Sequence, residues 1–338
     1  MALHFGADAV YLAGAQFGMR AGAENFTPDG IRAAVQLAHA QGAAVHVTCN
    51  TLPRDDEMAQ LPAYLELLDD AGVDAIIAAD LGVITLAKRY APHVALHVST
   101  QFGVVNSAAA AALYDLGAQR VVLARELSLA EIRTIRANTP PELELEAFVH
   151  GAHCMSVSGA CYLSAMLGGR SGNRGLCAQP CRLDWRCGKG DHVLSLKDMS
   201  LLRHAQEMAD AGITTFKIEG RMKRPEYVAA VVTACREALT GETYDEDTLR
   251  AVFSRSGFTD GYLTGKRDKT MFGYRTKDDV QSADKVLKSL AALYEKETPR
   301  AGVSMAFSLT ETESALTVSD GENARTVTGD APEKAINR

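Results

Sequence analysis

The 338-residue chain lacks any apolar run approaching the roughly 18–20 residues that a membrane-spanning helix needs. Its first residues also lack the basic stretch followed by an apolar stretch that is typical of a secretory signal peptide. We therefore expect a protein of the cytoplasm that contacts no membrane.

An excess of positive charge is missing as well. Lys and Arg number 35 against 42 Asp and Glu, for a formal net charge of −7. A chain that bound nucleic acid with its whole surface would be basic, so an RNA partner would require a local basic patch. The seven cysteines belong in a compartment that keeps thiols reduced, and there they are more often metal ligands or catalytic groups than disulfides.

Sequence motifs of the common hydrolases are absent too. We find no His-Glu-x-x-His helix and no Gly-x-Ser-x-Gly elbow. A peptidase needs an activated nucleophile or a metal-bound water. His153 is a poor base for Cys154, because adjacent residues of an extended chain point in opposite directions.

One local pattern recurs along the chain: a helix ends, a Gly turns the chain, and a β-branched apolar run follows. The copies turn at Gly6, Gly42, Gly72, Gly117 and Gly212. Further strands are predicted at 94–99, 143–149 and 193–196, with amphipathic helices between them. About eight alternating units predict an α/β fold, a (β/α) TIM-type barrel. An open, doubly wound sheet is the alternative, although no Gly-rich phosphate fingerprint follows the first strand.

The organisation along the chain predicts three parts. The barrel covers residues 1–240 with a Cys-rich insert at 150–190, and a helical extension covers 241–300. Residues 301–338 alternate apolar and polar side chains around Asp320-Gly321, which predicts the hairpins of a small β domain. The first visible element is a helix end rather than a strand, and a new helix begins at Ala331-Pro332-Glu333. We therefore expect truncation at both ends, with the barrel lacking its first strand.

The densest chemical signal is a group of four cysteines in a stretch rich in Gly and Ser. Six residues separate Cys154 from Cys161, fifteen separate Cys161 from Cys177, and three separate Cys177 from Cys181. The stretch leaves strand 143–149 at its carboxyl end, which faces the active site in barrels. An iron–sulfur cluster, a zinc ion, or unliganded and redox-active thiols all remain open. Cys49 and Cys235 are expected in the core, and Cys187 is a spare ligand candidate.

The residues from Glu146 to Ser164 resemble the signature of peptidase family U32, the collagenase-like proteases. That signature reads Glu-x-Phe-x-x-Gly-small-aliphatic-Cys, four residues, then Gly-x-Cys-x-aliphatic-Ser. Every fixed position matches except His153, where an aliphatic residue is usual. The resemblance continues at 169–182, 195–198 and 217–223, and it covers about residues 3–290.

The resemblance implies an iron–sulfur enzyme, and it is closest to the rRNA and tRNA hydroxylation branch of the family. That branch modifies a 23S rRNA cytidine or a tRNA uridine, with prephenate as a co-substrate. We therefore expect RNA base hydroxylation, with a 4Fe–4S cluster bound by Cys154, Cys161, Cys177 and Cys181. A collagenase-like peptidase and a non-catalytic, cluster-bearing partner protein are the alternatives.

Charged side chains near the ends of predicted strands are the candidate catalytic residues. Arg125, Lys197 and Arg221, together with Arg174, are expected to bind a small dicarboxylate such as prephenate through paired hydrogen bonds. The catalytic candidates are Glu146, His150, Arg125, Lys197, Glu219 and Arg221. The two glutamates are candidate general bases, or else partners of neighbouring cations, and His150 is expected to face the barrel mouth.

Two further features complete the predicted site. His97 and Gln101 end another strand and are expected, with Arg174, to contact the bound ligand. Cations also cluster in three groups that suit RNA phosphates, although a solvated surface produces similar runs. The groups are Arg170, Arg174, Arg182, Arg186 and Lys189; Lys217, Arg221, Lys223 and Arg224; and Lys266, Arg267, Lys269 and Arg275.

Overall fold

The computed structural model describes residues 1–19, 24–220, 222–295, 303–310, 312–319 and 323–330. The chain divides into two compact units, Met1–Leu290 and Ala291–Arg338. Among the described helices, none is both long and apolar enough to cross a membrane.

A nine-stranded sheet organises the first unit. Its strands are β1 Ala9–Leu12, β2 Ala44–Cys49, β3 Ala75–Ala78, β4 Ala95–Val98, β5 Arg120–Val122, β6 Glu144–Ala152, β7 Asp198–Ser200, β8 Thr215–Ile218 and β9 Phe258–Thr259. Strands β1 to β6 pair in parallel in chain order, and β8 pairs in parallel with β6. The short β7 runs antiparallel to β6 and carries β9 at its other edge.

Helices connect these strands, as repeated βα units require. They are α1 Pro28–His39, α2 Asp55–Met58, α3 Leu61–Asp70, α4 Leu81–Tyr90, α5 Ser107–Asp115, α6 Leu129–Ala137, α7 Leu163–Gly168, α8 Ala205–Asp210, α9 Pro225–Thr240, α10 Glu246–Val252, α11 Gly261–Thr264 and α12 Lys277–Glu295. The alternation of strand and crossover helix confirms the predicted α/β class and a parallel sheet of many strands.

Local chemistry sets where the helices begin and end. The side chains of Asp80 and Asn106 accept hydrogen bonds from backbone N–H groups at the starts of α4 and α5. Ser128 forms a capping box with Glu131 at the start of α6. Gly72 follows α3 with a φ of +69°, a left-handed conformation that glycine adopts without steric cost. The predicted succession of helix end, glycine and apolar strand is therefore present in the fold.

The core lies between the helices and the sheet. In β2, Val45, Val47 and Cys49 are fully buried against the helices, while the alternating His46 and Thr48 are buried on the other face. Burial of both faces explains why the strand sequences are nearly continuous apolar runs.

The first and the last parallel strands approach each other through their side chains. The hydroxyl of Tyr11 in β1 donates a hydrogen bond of 3.4 Å to the carbonyl of Ile218 in β8. The Lys217 ammonium lies 4.6 Å from the centroid of the Tyr11 ring. Within the described residues no backbone pairing joins β1 to β8, so these two contacts between the strands are made through the Tyr11 side chain.

The predicted strand at 193–196 is wrong. That segment is a turn held by hydrogen bonds to a distant loop: the Ser195 hydroxyl donates to the Gly273 carbonyl at 2.7 Å, and Lys197 N donates to the Met271 carbonyl at 2.8 Å. The strand β7 begins afterwards, at Asp198, and is antiparallel. The predicted helical extension also contributes the two-residue strand β9 to the sheet.

The second unit contains an antiparallel three-stranded sheet. Its strands are β10 Ser304–Leu309, β11 Glu313–Ser319 and β12 Ala324–Asp330. Thr317 and Thr326 face each other across β11 and β12, with their hydroxyl oxygens 2.8 Å apart. The predicted hairpins are confirmed, while the predicted Asp320-Gly321 turn and the helix start at Ala331 lie outside the described residues.

Candidate functional site: a thiol-lined cavity

A cavity of about 440 Å³ opens at the carboxyl ends of the parallel strands. Asn50 directly follows β2, Ser99 and Gln101 follow β4, and Glu219 follows β8, and all four line the cavity. This is the end of a parallel sheet at which the loops of α/β proteins form ligand sites.

The four clustered thiols line the same cavity. Cys154 lies two residues beyond β6, Cys161 precedes α7, and Cys177 and Cys181 follow that helix. Burial raises the pKa of Cys181, and charge on the other three thiols raises that pKa further, while the Arg182 guanidinium acts in the opposite direction. Sequence positions up to 27 residues apart therefore converge on one electrostatic environment.

The remaining three cysteines are separate from this group. Cys49 and Cys235 are buried in the core as predicted, and burial raises their thiol pKa values to about 12 and about 11. Cys187 is exposed in a tight turn that it closes with Gly190, and it does not line the cavity.

The ligand atoms that lie closest together in the described chain are not those of the four thiols. Among the described residues, Asp184, Asp191 and His192 form the only set of three or more ligand side chains whose ligating atoms all lie within 4.8 Å of one another. No three of the cavity thiols are therefore that close. A tetrahedral zinc with Zn–S bonds of about 2.3 Å would bring its sulfurs to about 3.8 Å from one another.

Arg182 ties the loop that carries the thiols to the sheet. Its guanidinium donates hydrogen bonds to the carbonyls of His153 and Leu196, and to the Ser195 hydroxyl at 3.2 Å. Burial lowers the pKa of Arg182, and Arg255 lowers it further, while the thiols of Cys181 and Cys154 partly offset this. A partly buried cation is thus fixed beside the sulfurs.

Arg125 and Glu219 form an ion pair in the cavity wall. Their closest nitrogen and oxygen atoms are 3.0 Å apart, and both side chains are largely buried. Arg125 also donates to the carbonyl of Ala152 and lies over the Phe148 ring, 3.9 Å from its centroid. The structure thus brings together two of the predicted catalytic residues.

Glu146 lies one layer deeper, inside the sheet. Its carboxylate accepts from Lys217 Nζ at 2.5 Å and from Arg120 Nη1 at 3.3 Å. Burial alone would raise the pKa of this carboxyl, but Lys217 and Arg120 hold it below its ordinary value. Glu146 does not line the cavity, although Lys217 does, so the glutamate fixes a cavity cation.

Lys223, Asp198 and Arg255 form a second charged group at the cavity. Arg255 pairs with the buried Asp198, and both Arg255 and Lys223 line the cavity. Burial lowers the pKa of Lys223 to about 8, with Asp198 opposing and Arg255 adding to the shift. Burial raises the pKa of Asp198 despite its cationic neighbours.

Four further predicted site residues lie away from the cavity lining. His150 is buried against Ser200, its Nδ1 3.2 Å from the hydroxyl, and burial lowers its pKa to about 3. His97 is buried too, and burial lowers its pKa to about 2.

The other two of these residues are cations. Arg174 pairs with Glu57 and donates to the Leu52 carbonyl at 3.1 Å. Lys197 packs over Gly273, where an added Cβ would lie 2.7 Å from Lys197 Cγ. Arg221 lies outside the described residues.

Sequence reasoning did not single out Asn50 and Arg255 for the site. Asn50 follows directly on β2, so the strand-end argument that selected Gln101 could have found it. Arg255 follows α10 in a loop, and no local pattern distinguishes it from other surface arginines.

Comparison with known proteins places the chain in a family. The model for peptidase family U32 matches residues 1–272. A "tRNA hydroxylation protein P1" of Bacillus subtilis is 38% identical over 263 residues, which cover 74% of this chain and 62% of that protein. The chain therefore spans less than two thirds of that relative.

Two further relatives carry different names. The "23S rRNA 5-hydroxycytidine C2501 synthase" of Escherichia coli is 38% identical over 278 residues, covering 80% of this chain and 41% of that protein. A "Collagenase" of Porphyromonas gingivalis is 36% identical over 296 residues, covering 79% of this chain and 70% of that protein. By the family match and these identities, the chain belongs to peptidase family U32.

Proposed function

We propose that this chain hydroxylates a pyrimidine base of RNA, a 23S rRNA cytidine or a tRNA uridine, with the help of an iron–sulfur cluster. The observation that carries the proposal is the convergence of four thiols on one cavity that cations also line. The names of the relatives from Bacillus subtilis and Escherichia coli support RNA hydroxylation as the reaction. An RNA substrate also favours the cytoplasm, and a closed TIM-type barrel would suit a site at the carboxyl ends of the strands.

The donor set fits a 4Fe–4S cluster held by Cys154, Cys161, Cys177 and Cys181. Iron–sulfur clusters are bound by cysteine thiolates, and the four thiols line one cavity. Arg182 is fixed beside the sulfurs and would offset their negative charge. When bound, the cluster would supply one-electron redox chemistry.

Cavity cations would hold a small dicarboxylate co-substrate such as prephenate. Arg125, Lys223 and Arg255 line the cavity and, as guanidinium and ammonium groups, suit carboxylates. The ammonium of Lys223 has no carboxylate within ion-pair distance in the described chain. With a pKa of about 8, Lys223 would also be able to give or take a proton near neutral pH.

Exposed cations on the segment that carries the four thiols would contact the phosphates of RNA. Arg170, Arg186 and Lys189 are exposed on the segment that carries the thiols. Phosphate contacts fix the register of a nucleic acid without reading its sequence. We propose that this group orients the strand while the cavity receives the base.

The experiment is mass spectrometry of rRNA and tRNA nucleosides from a strain in which the gene is deleted and then restored. We expect one hydroxylated pyrimidine to disappear on deletion and to return with the wild-type gene. It should stay absent when the gene carries Cys154→Ser. Cys187→Ser is the matched control and should restore the nucleoside.

Other outcomes would favour the alternatives. An unchanged nucleoside profile would contradict the proposal. Cleavage of peptide bonds that survives Cys154→Ser would favour the peptidase, in line with the relative named collagenase. Binding of RNA or a second protein without turnover would favour a non-catalytic partner protein.

A further inference from the structure

One wall of the cavity is uncharged and consists of amides and hydroxyls. Asn50, Ser99 and Gln101 line it, and they come from the ends of β2 and β4. Gln101 also abuts the thiol loop: a Cβ added at Gly159, which lies between Cys154 and Cys161, would be 3.0 Å from Gln101 Cγ. A ligand on this wall would therefore lie beside the cysteines.

A chain of hydrogen bonds fixes which way the amides face. The backbone N–H of Met19 can only donate, and it donates to Asn50 Oδ1 at 3.1 Å. Asn50 must then turn its Nδ2 group toward Gln101, and Nδ2 lies 2.5 Å from Gln101 Oε1. Because that contact needs an acceptor, the oxygen of the Gln101 amide faces Asn50.

Ser99 supports the same orientation. Its hydroxyl accepts from the backbone N–H of Gln101 at 3.4 Å and donates to Gln101 Oε1 at 3.0 Å. The amide oxygen of Gln101 is thus used twice. In the part of the chain that the structure describes, the Nε2 group donates to no protein acceptor, so its two N–H groups are available to the cavity.

We infer that Gln101, oriented by Asn50, is a specificity-determining donor that hydrogen-bonds a ring carbonyl oxygen of the target pyrimidine. Both cytosine and uracil carry a carbonyl at C2, and uracil carries another at C4, so a wall of N–H donors suits either base. The inference rests on the proposed function. It assigns the base to the neutral wall and leaves the cationic wall of Arg125, Lys223 and Arg255 to the co-substrate.

Two substitutions test the orientation. Gln101→Glu keeps the shape and the oxygen that accepts from Asn50, but it replaces the free donor by an acceptor. Asn50→Asp leaves the acceptor for Met19 N but presents a second oxygen to Gln101, whose amide must then rotate and turn its own oxygen into the cavity. Both variants should lose the same donor, although only Gln101 contacts the base.

The measurement is fluorescence anisotropy of anaerobically purified full chain with labelled single-stranded pentanucleotides. Three RNAs differ only at the central position, which carries uridine, cytidine or an abasic ribose. Wild-type protein should bind the pyrimidine RNAs about 10-fold more tightly than the abasic RNA, and each substitution should remove most of that difference. Combining the two should add little, because both remove one donor.

A matched control separates donor loss from added negative charge. Gln60 is exposed and outside the cavity lining, and it accepts a hydrogen bond of 3.1 Å from Gln16. Gln60→Glu adds the same charge and keeps that hydrogen bond. It should leave the preference for pyrimidine RNA over abasic RNA unchanged.

The possible negative results separate the base contact from RNA binding and from the proposed function. If wild-type protein binds all three RNAs equally, or if Gln101→Glu weakens all three equally, the base contact is refuted while RNA binding stands. Competition by malonate against abasic RNA that Gln101→Glu abolishes would assign the donor to a carboxylate and overturn the inference. If wild-type protein binds none of the RNAs, the proposed function fails and the inference fails with it.

Discussion

The strand-borne side of the cavity and the Cys loop, residues 153–190, differ in how their side chains are held. On the strand side, Glu219 pairs with a largely buried Arg125, and Lys217 pairs with a buried Glu146. In the Cys loop, Cys154, Cys161 and Cys181 are only partly buried, and Cys177 is exposed. On the strand side, ion pairs between buried or largely buried side chains hold the charged groups, whereas the sulfurs of the Cys loop lie nearer to solvent.

The two sides would therefore be ordered by different interactions. Buried ion pairs preorganise the strand side before any ligand arrives. A bound metal centre would hold the sulfurs of the Cys loop more firmly, because metal binding and local folding are coupled. Four experiments test whether the two sides differ in this way.

The largest effect is expected from removing one thiol. Cys154→Ser or Cys181→Ser should abolish bound iron and make the Cys loop sensitive to protease, because a cluster needs all its ligands. The unfolding midpoint of the first unit should change little. Limited proteolysis with mass spectrometry checks this, and Cys187→Ser is the control that should behave as wild type.

Breaking the interior ion pair should cost most in global stability. Glu146→Gln leaves Lys217 and Arg120 without their buried carboxylate, and we expect a loss of about 3–5 kcal/mol in the free energy of unfolding. Urea denaturation measures it. An exposed control, Glu144→Gln, should lose less than about 1 kcal/mol. Equal losses in the two variants would show that the strand side is not preorganised as described.

A glycine supports the wall that holds Glu219. Gly151 has a φ of +142°, and a Cβ there would lie 2.5 Å from Glu219 Cβ. Gly151→Ala should therefore cost about 2–3 kcal/mol and displace Glu219 from Arg125. Gly72→Ala is the matched control, since Gly72 is left-handed with no neighbouring atom within 4 Å. A loss at Gly151 no larger than at Gly72 would contradict the packing argument.

The effect that is smallest at neutral pH is a dependence of stability on acid. His150 is buried with a pKa of about 3, below the ordinary 6.5, so its contribution is complete above pH 6.5 and is lost as the pH falls toward 3. The slope is about 1.4 kcal/mol per pH unit. His150→Phe should remove that part of the slope between pH 6 and 4 in urea titrations. An unchanged slope would show that His150 does not titrate with unfolding.

Local patterns in the sequence predict most of the sheet. A glycine after a helix followed by apolar residues, as at Gly42 and Gly72, is a feature of a few consecutive positions and is present in the fold. Such local patterns do not predict the strand that begins at Asp198 or the two-residue strand β9. Their pairing is set by contacts between residues far apart in the chain, and they are too short to show a periodicity.

The candidate site divides in the same way. The four thiols are visible in the sequence as a dense group, and the structure brings them to one cavity. Which cations line the cavity cannot be predicted from the sequence in the same way. Arg174 pairs with Glu57, which lies 117 positions away, and no spacing rule reveals such a partner. Arg255 lines the cavity because of the path of one loop.

Analysis of iron, acid-labile sulfide and zinc in the anaerobically purified chain tests whether the four cavity thiols bind an iron–sulfur cluster. We predict about four iron and four sulfide per chain, as a 4Fe–4S centre requires, with visible colour that all four Cys→Ser variants lack. One zinc per chain, or a metal-free protein in which all four thiols react freely with an alkylating agent, would contradict it.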